Sequence, residues 1–452
     1  EEELKFRYED FGPAGKISQR DRIEDLDLSL VSFENGVRLN VRPSTFEPER
    51  FRLRVVFPVN LSHVPVDRGG IAELAGQLLL NSNLRKQKLT ELTRLMRLHG
   101  INPAFGVNHG TPAFTVSGPS TELPFALEFL TALLSDLDFD DEFYKVALGR
   151  YGGLFQSTMT SASGLGLREA LSSFAGGDPR TLLSHPRSFA NSDSLSDTVN
   201  WLRKNILDGP LEVGLVGDFT ADDAIARAAA TIGTLKRRKA APKPGAPLTL
   251  PKKASRQEGV VDIPASASFS VALWPVTSPD DPKHNAALGL ASDLLRDRLL
   301  AIVREAVGAS YSPTTQIYRD LVQRDFAFIG MISTFDPPIA RQYTEASVRL
   351  AARVAERGVS AADFDRLREP ARTRFAQDMR NNSWWLNNVV SLAQSRPEVL
   401  DEARHHEKII DEITAEDVNE AAQVFKSPNP TVVILRPKSV KQPPDAAPPA
   451  KK

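Results

Sequence analysis

Histidines and carboxylates are the residues of this chain that could hold a metal ion. Glu402, His405 and His406 stand three and four positions apart, which places them on one face of a helix. That spacing could ligate zinc, but we favour a polar helix face. His99 and His109 flank the stretch GINPAFGVNHG and are interpreted as surface loop residues. None of the seven histidines lies in H-x-x-E-H or H-E-x-x-H, so the sequence predicts no hydrolytic zinc site and no cofactor in this chain.

Composition narrows the remaining classes of function. The 452 residues contain no cysteine, which excludes disulfides, thiolate metal sites and cysteine nucleophiles. The formal net charge is -1, so no global basic field attracts nucleic acid or a membrane. The basic run 236–239 (KRRK) is interpreted as solvated. No apolar run reaches the length of a transmembrane helix, and the start at Glu1 suggests a mature or truncated chain.

Helix and strand patterns alternate in the first half of the chain. The stretch 31–41 (VSFENGVRLNV) predicts a hairpin around Asn-Gly. Residues 70–80 have helical spacing of small and apolar residues, and residues 140–175 are also predicted to be helical. Residues 211–218 (LEVGLVGD) predict a buried strand, and a helix at 221–232 follows it.

Two such units follow one another along the sequence. Residues 236–259 are rich in Pro, Lys, Ala and Gly and predict a linker between domains at 31–235 and 260–437. A polar N-terminal arm at 1–30 precedes them, and the composition of 438–452 predicts a disordered tail. The predicted fold class is α+β, with two tandem homologous domains. Each is a mainly antiparallel sheet with helices packed on one face.

Seven stretches, in their order along the chain, resemble the pitrilysin/insulinase family of zinc peptidases. The resemblance is strongest to the C-terminal, non-catalytic halves of long bacterial periplasmic members. It implies the fold of LuxS and the mitochondrial processing peptidase, and a periplasmic location. The stretches are YEDFGPAG (8–15), FENGVRLNVRPSTF (33–46), GGDPR (176–180), LEVGLVGDF (211–219), REAVGASYSPT (304–314), NNSWWL (381–386) and ITAEDVNEAAQVF (413–425).

Active halves of this family carry H-x-x-E-H on one helix. The matching helix here has Glu73 and Gln77 at the two histidine positions and Gly76 at the position of the general base. Glutamine is a poor zinc ligand and glycine cannot accept a proton, so this chain alone is predicted to be inactive. Glu73 itself is either a salt-bridged relic of the lost site or a partly exposed position.

The resemblance also indicates residues that bind substrate. Arg304 and Tyr311 match a family Arg and Tyr that lie across a chamber from the zinc ion. An arginine fork and a phenolic hydroxyl can hold a substrate carbonyl and stabilise an oxyanion. The alternative is that Arg304 caps a helix and Tyr311 packs in a strand. The pair Trp384 and Trp385 is interpreted as core packing, with a substrate or partner surface as the alternative.

The resemblance implies one half of a peptidase that binds unfolded peptides opposite an active, zinc-bearing half. That partner is either part of the same original chain, which we slightly prefer because of the YEDFGPAG arm, or a separate subunit. The alternatives are a non-enzymatic structural scaffold and an isolated peptide-binding module with the same fold.

Overall fold

A computed structural model of the chain describes residues 4–108, 111–262, 267–276, 281–307, 313–427 and 429–438, and for 302–307 only the helical backbone. The described residues form two compact units. The first comprises the described residues up to Gly153, together with Leu183–Pro247 and Arg372–Lys408. The second comprises Leu154–Leu182, Leu248–Ala371 and the described residues from Ile409 onward.

Both units are built on a sheet in which antiparallel pairs dominate. The first unit contains β1 (Ile17–Ile23), β2 (Leu28–Phe33), β3 (Arg38–Pro43), β4 (Arg50–Val56), β5 (Asn83–Leu84), β6 (Asn102–Asn108), β7 (Thr111–Pro119), β8 (Leu137–Asp138) and β9 (Glu212–Gly217). The second contains β10 (Ser255–Val261), β11 (Ser268–Pro275), β12 (Thr314–Arg319), β13 (Ala327–Phe335) and β14 (Thr431–Pro437).

Helices supply the other layer of each unit, as expected for an α+β fold. None of the described helices combines the length and the apolar character needed to cross a bilayer. They are α1 (Ile71–Leu80), α2 (Leu89–Leu98), α3 (Leu123–Ser135), α4 (Asp141–Thr160), α5 (Ala162–Phe174), α6 (Ser194–Leu202), α7 (Ala221–Ala230), α8 (Pro282–Val307), α9 (Ala340–Arg357), α10 (Ala361–Asp378), α11 (Asn382–Asn388), α12 (Glu398–Glu412) and α13 (Ala415–Ala421).

The order of strands confirms the predicted fold class and its internal duplication. The larger sheet has the order β1-β2-β3-β9-β4-β7-β6, and the smaller has β10-β14-β11-β13-β12. In each sheet one pair is parallel, β3 with β9 and β10 with β14, and the remaining pairs are antiparallel. The helix α1 follows β4 in the same way that α8 follows β11. Thus α8, which contains Arg304, is the counterpart of α1 in the second unit.

The hairpin predicted around Asn35-Gly36 is confirmed. Strands β2 and β3 pair with Ser32 opposite Arg38, and Gly36 has a φ of 88°. Only glycine adopts that region without strain, which explains the NG signal. Two other predicted boundaries differ from the structure. Strand β1 lies within the N-terminal arm, and β10 begins inside the predicted linker because its backbone pairs with β14.

The two units exchange segments, which the contiguous stretches 31–235 and 260–437 do not represent. Helix α5 precedes the linker in sequence but packs on β11 and β14 of the second unit. A Cβ atom on Gly166 of α5 would lie 2.1 Å from the Phe269 ring of β11, so this packing requires glycine. The GGDPR stretch ends α5: Gly176 and Gly177 have positive φ, and their N–H groups donate to carbonyls of the last turn.

In the reverse direction, the segment 382–396 lies within the second half of the sequence but docks on the sheet of the first unit. Strand β9 is buried at every position: it lies between β3 and β4 in the sheet, and this segment packs against it. Arg42 places its guanidinium 3.9 Å from the Trp385 ring centroid, and burial lowers the pKa of Arg42. Trp385 is buried and donates from Nε1 to the Met379 carbonyl at 3.0 Å, so core packing is confirmed for this residue.

A buried carboxylate fixes the position of this segment. Glu212 of β9 is 4% exposed, and its oxygens accept hydrogen bonds from Asn40 Nδ2 at 2.5 Å, Gln394 N at 2.8 Å and Ser395 N at 3.0 Å. Asn40 Nδ2 also donates to the Val390 carbonyl at 2.7 Å. The buried carboxylate is therefore satisfied in part by two backbone donors of the docked segment, which ties that segment to β9.

Gly214 allows the segment to approach the strand closely. A Cβ atom at this position would lie 2.7 Å from Ser391 Cα. We therefore expect Gly214→Ala to displace the segment and to lower the free energy of unfolding by about 1–3 kcal/mol. Urea denaturation measures the loss, and amide hydrogen exchange should rise in residues 382–396. Gly106→Ala is the control because its Cβ would meet no atom within 4 Å. Equal stability of the two variants would contradict the docking argument.

Candidate functional site

Helix α1 presents a narrow accessible stripe. Glu73, Gln77 and Leu80 are partly exposed, whereas the other seven residues of the helix are buried. Because residues four apart lie on the same helix face, Glu73 and Gln77 are neighbours on this stripe. The structure thus brings together two of the three degenerate zinc-site positions and exposes them to the same space.

The third position, Gly76, is filled from another element. A Cβ atom on Gly76 would lie 2.2 Å from Cδ1 of Phe105, a residue of β6. The ring therefore occupies the space that the side chain of a general base would need. Glycine at position 76 thus allows β6 to pack on α1. The spacing of residues along α1 does not reveal this contact.

Glu73 lies in a recess with little solvation. Burial raises the pKa of Glu73 to about 7, and no described side chain forms an ion pair with it. Tyr151 is close by: burial, and secondarily the charge of Glu73, raise the pKa of Tyr151. The Tyr151 hydroxyl donates to the Ser184 carbonyl at 2.7 Å. Among the described residues, the salt-bridged alternative for Glu73 is therefore not supported, and the partly exposed alternative fits.

The start of α1 is fixed by the same tyrosine. Gly70, at the N-terminus of the helix, has a φ of 86°, and a Cβ atom on it would lie 2.3 Å from the Tyr151 hydroxyl oxygen. Both the backbone conformation and the close contact therefore require glycine. Tyr151 packs edge-on against Phe189, with 5.4 Å between ring centroids, which holds its hydroxyl in place.

Zinc does not fit the donors that α1 presents. A hydrolytic zinc site takes three protein ligands and leaves a position for water. Glu73 and Gln77 offer one carboxylate and one amide, and Gly76 offers nothing. Within the described ranges, no group of three or more His, Cys, Asp or Glu side chains is arranged to hold a metal ion. No metal-dependent hydrolysis follows from these residues, and the metal content of the purified chain stays a prediction.

The helix lies beside a free sheet edge. Strand β6 is the last strand of the larger sheet and pairs only with β7 in the part of the chain that the structure describes. Its residues alternate between partly buried (Pro103, Phe105, Val107) and exposed. An unpaired edge can accept an extended peptide through main-chain hydrogen bonds. The edge and the stripe of α1 together form the candidate peptide-binding surface of the first unit.

The predicted substrate-binding pair falls mostly outside the described residues. The backbone of Arg304 belongs to α8, but its side chain and the whole of Tyr311 are not described. Their roles in holding a substrate carbonyl therefore stay predictions.

The predicted histidine sites have structural partners. His406 Nε2 lies 3.0 Å from Asp378 Oδ2, and its ring stacks on Phe375 with 4.5 Å between centroids. Burial lowers the pKa of His406, although Asp378 acts in the opposite direction. His405 is exposed and its Nδ1 lies 2.8 Å from the Asp401 carbonyl oxygen. These contacts fit the polar helix face rather than a metal site with Glu402.

His99 differs from the predicted loop residue. It ends α2, is partly buried, and its Nδ1 lies 2.6 Å from Glu122 Oε2. Its ring stacks on Phe125 with 4.0 Å between centroids. A contact with a residue on α3 could not be read from the local sequence. His109 lies outside the described residues.

One family model matches part of the chain. Residues 197–370 match the family model described as the Peptidase M16 inactive domain. A comparison with curated proteins finds no match.

Solved structures share the fold over nearly the whole chain. The periplasmic protease PqqL from Escherichia coli superposes with a TM-score of 0.77 at 16% identity, covering 97% of this chain and 48% of PqqL. A peptidase M16 inactive domain from Pseudomonas fluorescens gives 0.76 at 18% identity, covering 93% and 100%. A mutant of the ferredoxin protease FusC, in complex with Arabidopsis ferredoxin, gives 0.74 at 14% identity, covering 95% and 47%. The chain thus spans about half the length of PqqL and of FusC.

The recess around Glu73 predicts a pH-dependent stability. The unfolded carboxyl ionises near pH 4.5, but the folded one ionises near 7, so the folded state loses stability as the pH rises between these values. Glu73→Gln cannot ionise and should gain up to about 3 kcal/mol over the wild type above pH 7, and nothing below pH 4. Chemical denaturation across this range measures the difference. Glu356→Gln, at an exposed position, is the control. A gain that does not change with pH would contradict the assignment.

The contact of Gly76 with Phe105 predicts a compensating pair. Gly76→Ala should lower the free energy of unfolding by about 1–3 kcal/mol, because the new methyl group collides with the ring. Adding Phe105→Ala should restore part of that loss, although Phe105→Ala alone is destabilising. A double-mutant cycle measures this coupling. Additive losses would show that the ring does not occupy the space beside position 76.

Proposed function

We propose that this protein is the non-catalytic half of an M16 zinc peptidase, because residues 197–370 match the family model of the M16 inactive domain and the described chain shares the fold of PqqL and of a solved M16 inactive domain. It holds an unfolded peptide opposite an active half that supplies the zinc ion. Two observations together carry the proposal. The chain covers about half the length of PqqL, and the side chains that helix α1 presents do not fit zinc.

The free edge of β6 supports peptide binding. Main-chain hydrogen bonds to a sheet edge are tolerant of sequence, which suits an enzyme that acts on unfolded peptides. The exposed residues of β6, among them Ala104 and Gly106, are small and leave room for the side chains of an added strand. The partner half, either upstream on the same original chain or a separate subunit, would face this surface.

In the proposed enzyme, Arg304 and Tyr311 bind the carbonyl group of the substrate. The guanidinium and the phenol donate hydrogen bonds to the substrate carbonyl oxygen and stabilise the charge that develops on it during attack. The active half provides the ligands and the base. The periplasm is the proposed compartment, since PqqL is a periplasmic protease with the same fold.

Two measurements on the purified chain test whether it lacks zinc and peptidase activity when the active half is absent. We expect less than stoichiometric zinc by elemental analysis and no cleavage of unfolded peptides by this chain alone. Peptide cleavage should appear when an active half is added, that is, a half that carries H-x-x-E-H and is encoded upstream of this chain or next to it. Stoichiometric zinc together with turnover by the lone chain would overturn the proposal.

The substrate role of the Arg–Tyr pair is tested in the assembled enzyme. Arg304→Ala and Tyr311→Phe should each lower kcat by about 10²-fold, as for the loss of an oxyanion donor, with little effect on KM. Arg357→Ala, an exposed arginine of α9, is the control for loss of a positive charge. Unchanged kcat in both variants would favour the structural scaffold.

A further inference from the structure

The basic run 236–239, interpreted from the sequence as solvated, is anchored in the structure. The Arg238 guanidinium donates from Nε to the Gly209 carbonyl at 2.8 Å and from a terminal nitrogen to the Ile206 carbonyl at 3.1 Å. Burial lowers the pKa of Arg238 to about 10. Lys239 Nζ pairs with Asp208 Oδ2 at 2.7 Å. The run is therefore held at a fixed place on the first unit.

This run forms one wall of a cleft made of two adjoining cavities. The smaller has a volume of about 100 Å³ and the larger about 400 Å³. Both are bordered by Arg85, Leu137, Phe139 and Arg203. The smaller cavity adds mainly polar groups, including Ser135, Asp208, Lys236 and Arg238. The larger adds Leu195 and Val199, together with Ser192, Ser196 and Asp138.

Positive charge in the smaller cavity is not neutralised by the protein. Among the described residues, neither Arg203 nor Lys236 lies within ion-pair distance of a carboxylate. Arg85 reaches Asp136 only at 3.8 Å, and 65% of the Arg85 side chain is exposed. The carboxylate in the cavity, that of Asp208, already pairs with Lys239. A ligand with negative charge could therefore pair with Arg203 and Lys236 without displacing an existing ion pair.

The local backbone aims Arg203 at the cleft. Helix α6 continues directly into a π-helical turn, Arg203–Leu207, in which the Asp208 N–H donates to the Arg203 carbonyl at 2.9 Å. Such turns are rare and often occur at functional sites. The Arg203 guanidinium lies over the Phe139 ring at 5.4 Å, a cation–π contact that restricts its motion and leaves its N–H donors available.

From this arrangement we infer that the cleft binds an acidic segment of a polypeptide. A glutamate or aspartate carboxylate enters the smaller cavity and accepts hydrogen bonds from Arg203, Lys236 and Arg85. A neighbouring apolar side chain of the ligand lies in the larger cavity against Leu195 and Val199. The larger cavity is lined mainly by polar groups, but Leu195 and Val199 give it an apolar patch that an inorganic ion would leave unused, which favours a peptide over a free anion.

The inference is tested with two dye-labelled octapeptides, one of alternating Leu and Glu and one of alternating Leu and Gln. Fluorescence anisotropy on the full chain should show the Glu peptide binding at least about tenfold tighter. Arg203→Gln and Lys236→Gln should each weaken that binding about tenfold. Arg237→Gln is the matched control, because Arg237 is exposed in the same run but does not border the cleft.

Three results would overturn the inference. Equal binding of the two peptides would show that carboxylates are not recognised. An equal effect of Arg237→Gln would reveal only general attraction between charges. Inorganic phosphate that binds with the same sensitivity to Arg203→Gln, while the Glu peptide does not bind, would identify a site for small anions.

The wild type and the three variants should have the same thermal midpoint, since the substituted side chains are exposed. The test uses no zinc-bearing half, so its outcome is separate from that of the proposed peptidase role.

Discussion

The Glu212 carboxylate joins parts of the chain that are far apart in sequence. It receives hydrogen bonds from Asn40 on a neighbouring strand and from two backbone N–H groups of the segment that follows α11. A buried carboxylate is tolerated only with such complete pairing. Because this segment packs against β9, the sheet of the first unit reaches its final packing only after most of the chain has been synthesised. The exchange of α5 in the other direction means that neither unit is a contiguous domain.

Three of the family-like stretches maintain the fold through packing and hydrogen bonds. The LEVGLVGDF stretch supplies Glu212 and Gly214, and NNSWWL supplies the docked helix that carries Trp385. GGDPR ends α5 through its two glycines and a carboxylate–guanidinium pair between Asp178 and Arg180. Each is held by packing or hydrogen bonding within its unit.

Helix α1 is closely packed at the positions where the sequence predicts a degenerate zinc site. Phe105 takes the volume beside Gly76, and Glu73 remains in a recess where the neutral form of its carboxyl is favoured up to about pH 7. Positive charge is instead concentrated elsewhere on the first unit, where Arg203 and Lys236 border a cleft and form no ion pair with any described residue. A chain with a net charge of -1 thus has a locally positive site, which its overall charge balance conceals.

The sequence by itself determined the chemistry that α1 lacks, because the ability to bind zinc or to accept a proton belongs to residue type and helical spacing. It also determined the α+β class and the hairpin at Gly36, since both follow from local periodicity and turn chemistry. Only the tertiary structure decided what fills the space beside Gly76, where the segment 382–396 docks, and which cations border the same cleft. These features depend on residues distant in sequence that come together, such as Gly76 with Phe105, or Arg85 and Lys236 at one cavity. Neither pattern nor composition encodes such distances.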